Sequence, residues 1–84
     1  MINDLIKYFK NKKIIILGFG KEGISTYKLI RKYLNNQHLY IADEKENFRQ
    51  NFDFLKKDLN VTCISGKNYL DNLQNYDIIM KSPG

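Results

Sequence analysis

Three glycines at a fixed interval are the residues of this chain whose spacing most clearly indicates chemistry. Gly18, Gly20 and Gly23 form the pattern G-x-G-x-x-G directly after the apolar run Ile14–Leu17. Where such a pattern joins a strand to a helix, backbone N–H groups at the start of the helix face an anion. The pattern predicts a diphosphate site, in which Gly18 allows the tight turn, Gly20 the approach of a phosphate, and Gly23 the close packing of helix on sheet. The alternative is a glycine turn that only packs a strand against a helix.

Charged residues near the glycines divide into candidate ligand contacts and solvent-facing side chains. Asp43 lies 23 residues after Gly20, where dinucleotide-binding proteins place the acid that accepts hydrogen bonds from ribose hydroxyls. Its alternative role is to cap the N-terminus of a following helix. Lys21 is either a phosphate contact or a solvated lysine. Glu22 suits the positive end of a helix but would repel a diphosphate, so we expect its side chain to face solvent and its N–H group to face the ligand.

Other residue types that often carry chemistry are isolated in this sequence. The segment Ser65–Asn68 resembles the end of an ATP phosphate loop, but it lacks the closing Ser or Thr and the first glycine. His38 has no Cys or paired carboxylate at ligand spacing, and Cys63 is expected to be a small core residue of a strand. The sequence therefore predicts neither a metal site nor catalytic residues.

Four short apolar runs predict the strands that would position the candidate residues. They are short and are bounded by glycine or polar residues, as strands buried in a parallel sheet are. The predicted strands are residues 14–17, 38–42, 61–64 and 76–81. Helical periodicity appears before the first strand and after the first two, with apolar faces at Ile2, Leu5, Ile6 and Phe9, at Gly23, Tyr27, Ile30 and Leu34, and at Phe48, Phe52, Leu55 and Leu59.

This alternation predicts an α/β fold, a Rossmann-like parallel sheet of about four strands in the order 3-2-1-4 with crossover helices. The winding reverses between strands 1 and 4, and ligands of such sheets bind at the carboxyl ends of the strands at that reversal. We therefore expect Gly18–Gly23, Asp43 and Ser82–Gly84 to converge on one crevice. The crevice fits UDP and NAD equally, because both carry a diphosphate and a ribose.

Composition bounds the class of protein. The chain has 84 residues, 43% apolar and 27% charged, which is ordinary for a small folded domain, so we take residues 1–84 as a single domain. Its net charge of +5 permits an anionic ligand, but the basic residues are interleaved with acids and predict no nucleic-acid partner. One cysteine, no signal-peptide pattern and no long apolar run predict a cytoplasmic protein without membrane contact. Because the sequence finishes on the turn residues Ser82-Pro83-Gly84, we expect it to be the front part of a longer protein or a domain cut from one.

Two motifs together resemble a known family. The stretch ILGFGKEGIS (residues 16–25) and the stretch YDIIMKSPG (residues 76–84), with an Asp after the second strand, are similar to the N-terminal domain of the Mur ligases. Among these, the pattern is closest to the ligases that add D-glutamate to UDP-N-acetylmuramoyl-L-alanine. The glycine turn is common to many families, whereas its pairing with the Ser-Pro-Gly ending about 60 residues later is far more specific.

The resemblance implies that this domain binds the UDP part of the substrate. It places the diphosphate on the glycine turn and the uracil and ribose between the end of the second strand and the Ser-Pro-Gly segment. The implied contacts are Gly18, Gly20, Lys21, Glu22, Gly23, Asp43, Glu44, Lys45, Ser82, Pro83 and Gly84. It implies no cofactor in this domain, with ATP and Mg²⁺ bound by a central domain and the amino acid by a third domain. The implied reaction is an ATP-dependent ligation through an acyl phosphate in peptidoglycan precursor synthesis, and hence a role in cell wall biogenesis, cell shape and division.

Two positions depart from the family pattern, and one other family shares part of it. Glu22 replaces a small hydroxyl residue, and Lys45 stands where an Arg is common, which keeps the charge but loses the planar fork. The alternative is an NAD-binding regulatory domain, which shares the glycine turn and Asp43. Such domains usually carry a Gly-Asp pair after the third strand, whereas this chain has Ser65-Gly66-Lys67.

Overall fold

A parallel sheet of four strands forms the centre of the fold. A computed structural model describes residues 2–81 of the chain. The strands are β1 (Ile14–Leu17), β2 (Leu39–Asp43), β3 (Val61–Ser65) and β4 (Ile78–Lys81), and their order across the sheet is β3-β2-β1-β4. The predicted α/β class and strand order are confirmed.

Helical segments precede and connect the strands. The α-helices are α1 (Ile2–Phe9), α2 (Lys21–Tyr33) and α3 (Asp53–Lys57). Two short 3-10 helices, Phe48–Asn51 and Leu73–Asn75, lie in the second and third connections. Within residues 2–81, none of the helices has the length and apolar character needed to cross a membrane.

The two faces of the sheet are covered differently. On one face, Ile16 of β1 belongs to a buried cluster with Tyr27 of α2 and Leu55 of α3. On the other face, the connection from β3 to β4 brings the ring of Tyr76 to 5.2 Å from the ring of Tyr40. This division follows from handedness, because right-handed crossovers that advance from β1 to β3 share one face, and the return to β4 uses the opposite face.

The apolar face predicted at Phe48, Phe52, Leu55 and Leu59 is confirmed for the first three residues, which belong to the core cluster or pack against it, but they do not lie on one helix. The segment forms two short helical pieces, with Phe52 extended between them at φ −132° and ψ 110°. Asp58 ends α3 in another extended conformation, and Leu59 is 91% exposed instead of buried. The carboxylate of Asp58 accepts a hydrogen bond from the Tyr27 hydroxyl at 2.5 Å. This contact with α2 holds Asp58 at the point where a longer helix would have continued.

Candidate nucleotide-binding site

The three glycines of the turn after β1 differ in whether the folded backbone requires glycine at that position. Gly18 has φ +87°, a conformation that other residues rarely adopt. A Cβ atom at Gly23 would lie 2.0 Å from the carbonyl oxygen of Gly18, so only glycine lets α2 approach β1 this closely. Gly20 has an ordinary φ of −83°, and a Cβ atom there would meet nothing within 4 Å. The turn and packing roles predicted for Gly18 and Gly23 are confirmed, and the fold gives no reason for a glycine at position 20.

The start of α2 leaves backbone N–H groups available to a ligand. Its N-cap is Gly20, whose position lacks a side-chain cap, and the Ile24 N–H donates to the Gly20 carbonyl oxygen at 2.9 Å. Among the described residues, no backbone or side-chain acceptor pairs with the N–H groups of residues 20–23. These groups lie at the positive end of a 13-residue helix, an environment that favours an anion.

Asp43 connects the end of β2 to the glycine turn. One oxygen of its carboxylate, Oδ2, accepts a hydrogen bond from the Phe19 N–H at 2.6 Å. The other, Oδ1, accepts one from the Lys45 N–H at 2.8 Å. The predicted alternative of a helix N-cap is wrong, because the next helical segment has Asn47 as its N-cap.

The carboxyl ends of β1 and β4 form one side of the crevice. Leu17, which precedes Gly18, pairs with Lys81, which precedes Ser82. A cavity of about 130 Å³ lies between these strand ends and the first turn of α2, and Glu22 and Lys81 line it. This cavity lies beside the point where the winding reverses, and its lining includes Gly23 of the glycine turn but not Asp43. The candidate residues Ser82, Pro83 and Gly84 lie outside the described residues.

The remaining candidate contacts are exposed charged residues around the turn. Lys21, Glu22, Glu44 and Lys45 are all exposed. The exposure predicted for Glu22 is confirmed, although its side chain also lines the cavity. Lys45 contributes its N–H group to Asp43 and keeps its side chain in solvent.

Phe19 is a residue of the site that sequence reasoning missed. Its side chain is only 4% exposed, and its ring lies 5.1 Å from that of Phe52 and 5.9 Å from those of Tyr27 and Phe48. The glycine turn is therefore anchored in the aromatic core. The sequence shows a single aromatic residue between two glycines, but helical or strand periodicity cannot predict whether a residue in a turn is buried.

Comparison with curated proteins connects this geometry to a family. The protein named UDP-N-acetylmuramoylalanine--D-glutamate ligase from Clostridium tetani is 34% identical over 84 residues, covering 96% of this chain and 18% of the relative. Its namesake from Acetivibrio thermocellus is 32% identical over 85 residues (99% and 18%), and that from Ligilactobacillus salivarius is 28% identical over 80 residues (95% and 17%). The chain matches a segment of this ligase family.

The resemblance to the D-glutamate-adding Mur ligases is thereby confirmed, and the matched relatives are enzymes. The chain spans less than a fifth of the length of the ligases it matches. A scan of protein-family models finds no match, and no solved structure matches significantly.

Two residues considered for other chemistry lie away from the glycine turn. His38, which directly precedes β2 instead of belonging to it as predicted, forms a hydrogen bond between its Nε2 and Oγ1 of Thr62 in β3 at 2.7 Å. Cys63 packs against the core cluster as predicted, and burial raises the pKa of its thiol, with Arg49 opposing that effect. Among residues 2–81, no group of three or more His, Cys, Asp or Glu side chains is placed to hold a metal ion.

Proposed function

We propose that this chain binds the UDP portion of UDP-N-acetylmuramoyl-L-alanine and serves a ligase that adds D-glutamate to it in peptidoglycan precursor synthesis. The proposal assigns the diphosphate to the N–H groups of residues 20–23. It assigns the nucleoside to the region of Asp43, Glu44 and Lys45, and to Ser82–Gly84. ATP and Mg²⁺ would act in other parts of such a ligase, and the proposed location is the cytoplasm, where the free thiol of Cys63 would stay reduced.

The geometry of Gly20 carries this proposal. Its φ is ordinary and the space beside it is open, so the folded chain would accept alanine there. A glycine is needed at such a position when a ligand must approach the backbone closely, as a phosphate does at the N-terminus of a helix. Gly20 is also the first of four consecutive residues whose N–H groups are free among the described residues.

The position of the crevice supports the same proposal. The turn, the end of β2 and the end of β4 lie together where the strand order reverses, which is where open parallel sheets bind nucleotides. The names of the matched relatives specify a UDP-linked substrate, and this supports UDP over NAD as the proposed ligand.

An NMR titration of the 84-residue chain with UDP, and separately with NAD, tests the proposal. We expect UDP to shift the amide signals of residues 18–23, Asp43, Ser82 and Gly84, and NAD to shift them little. Gly20→Ala should weaken UDP binding about tenfold or more, because a Cβ would displace the phosphate from charge-assisted hydrogen bonds. Asn36→Ala, an exposed change in the turn after α2, is the matched control and should bind like the unaltered chain.

The outcomes separate the two interpretations of the crevice. A preference for NAD over UDP would favour the regulatory-domain alternative. No shifts with either nucleotide would refute UDP binding by this chain. Unchanged UDP affinity in a folded Gly20→Ala variant would remove the diphosphate from the glycine turn.

A further inference from the structure

We infer that Asp43 is a positioning residue, which holds the glycine turn in the conformation that presents its N–H groups to a diphosphate. The inference rests on the proposed function and deepens it. It differs from the role that the sequence predicts for Asp43, which is a contact to the ribose.

The hydrogen bonds of Asp43 support this role. A carboxylate has two oxygens, and each here accepts one backbone N–H group: Phe19 at 2.6 Å and Lys45 at 2.8 Å. Bonds from N–H groups to an ionised carboxylate are shorter and stronger than neutral ones. The main-chain carbonyl of Asp43 also accepts the Gly66 N–H at 3.2 Å. One residue therefore connects the turns that follow β1, β2 and β3.

The bond to Phe19 fixes the peptide that joins Gly18 to Phe19, directly before the residue that leads into Gly20. The adjacent Gly18 N–H donates to the Ala42 carbonyl at 2.7 Å, so the turn is attached to β2 at two successive amides. Glycine on both sides of Phe19 gives the turn wide conformational freedom. Two contacts restrict that freedom. The Asp43 carboxylate holds the Phe19 N–H group, and the Phe19 ring is buried in the core.

The same bond divides the N–H groups of the turn into two sets. The Phe19 N–H is occupied by the protein's own carboxylate, whereas those of residues 20–23 have no partner among the described residues. A diphosphate is therefore directed towards the helix start and away from the negative charge of Asp43.

Two variants of the 84-residue chain, Asp43→Ala and Asp43→Asn, test the inference. Alanine removes both acceptors, and asparagine keeps the size and one acceptor oxygen. Asp71→Asn, an exposed acid on the connection from β3 to β4, is the control for lost charge. Hydrogen exchange of individual amides and the affinity for sodium pyrophosphate and for uridine are measured by NMR on each chain.

We expect the Phe19 amide of Asp43→Ala to exchange about tenfold faster or more, while the Gly18 amide, which bonds to Ala42, keeps its protection. Pyrophosphate affinity should fall roughly tenfold in Asp43→Ala and less in Asp43→Asn. Asp71→Asn should match the unaltered chain in both measurements.

Two results would overturn the inference. One is an unaltered Phe19 amide in Asp43→Ala. The other is weaker uridine binding with unaltered pyrophosphate affinity, which would make Asp43 a nucleoside contact alone. Failure of the proposed function is distinguishable, because the unaltered chain would then bind neither UDP nor pyrophosphate.

Discussion

Replacing Gly23 with alanine should destabilise the fold far more than the same replacement at Gly20. A Cβ atom at position 23 would lie 2.0 Å from the Gly18 carbonyl oxygen and 3.0 Å from its carbonyl carbon. Real Cβ atoms stay at least 3.0 Å from such neighbours, so α2 and the turn would have to separate by about 1 Å. Both obstructing atoms belong to the backbone, and no side-chain rotation relieves the overlap.

The expected cost is at the upper end of that measured for overpacking, about 3 kcal/mol. For a domain of this size, roughly 4–8 °C of melting temperature corresponds to 1 kcal/mol, so the midpoint should fall by about 12–24 °C. Gly20→Ala meets nothing within 4 Å and has φ −83°. Its cost should stay within about 1 kcal/mol, since a less favourable N-cap is partly offset by a less flexible unfolded chain.

Urea and thermal unfolding followed by circular dichroism measure both variants against the unaltered chain. The two substitutions add the same methyl group at neighbouring positions of one turn, so their difference in stability reports how closely α2 approaches β1. Equal stability of the two variants would refute the argument, because it would mean that α2 does not contact the Gly18 carbonyl in solution.

Two further predictions concern partly buried titratable groups next to the core. Burial raises the pKa of the Asp58 carboxyl group, but hydrogen bonds from Tyr27 and the Asn60 N–H and the charge of Arg31 outweigh it and hold the pKa below 3.8. The stability that the ionised Asp58 carboxylate contributes is present above the unfolded pKa of 3.8 and should be lost as pH falls through the lower folded pKa. Urea unfolding midpoints measured across this pH range should fall accordingly. The Asp58→Asn variant should lack this pH-dependent decline. Burial raises the pKa of Cys63, so at a mildly alkaline pH a thiol reagent should modify it about tenfold more slowly in the folded chain than in urea, and equal rates would contradict the packed position.

The sheet could be predicted from the sequence because its signals are local and agree with one another. The run Ile14–Leu17 is apolar throughout, β-branched in its first three residues and followed by glycine, and its predicted bounds match those of β1. The strand order then follows from right-handed connections. The interruption of the helical segment after β2 could not be predicted. Phe48, Phe52 and Leu55 are spaced as in one helix, whereas Phe52 is extended between two short helices. A long-range hydrogen bond, donated by the Tyr27 hydroxyl of α2 to the Asp58 carboxylate, lies where that segment ends.

The candidate site shows the same division between local and long-range causes. The roles of Gly18 and Gly23 could be inferred from the motif, because each depends on the turn and its adjacent elements. Asp43 could be placed at the crevice, but its bond to Phe19 spans 24 residues and depends on how β1 and β2 align. No periodicity in the sequence encodes that alignment at atomic distance.

The burial of Phe19 has a consequence for the thermodynamics of any ligand that uses the turn. Because its ring packs against the rings of Tyr27, Phe48 and Phe52, the turn becomes ordered when the chain folds and not when the ligand arrives. A ligand then meets N–H groups that are already arranged, and association carries little additional loss of conformational entropy. By the same linkage, every contact that a ligand makes with the turn adds to the stability of the aromatic core.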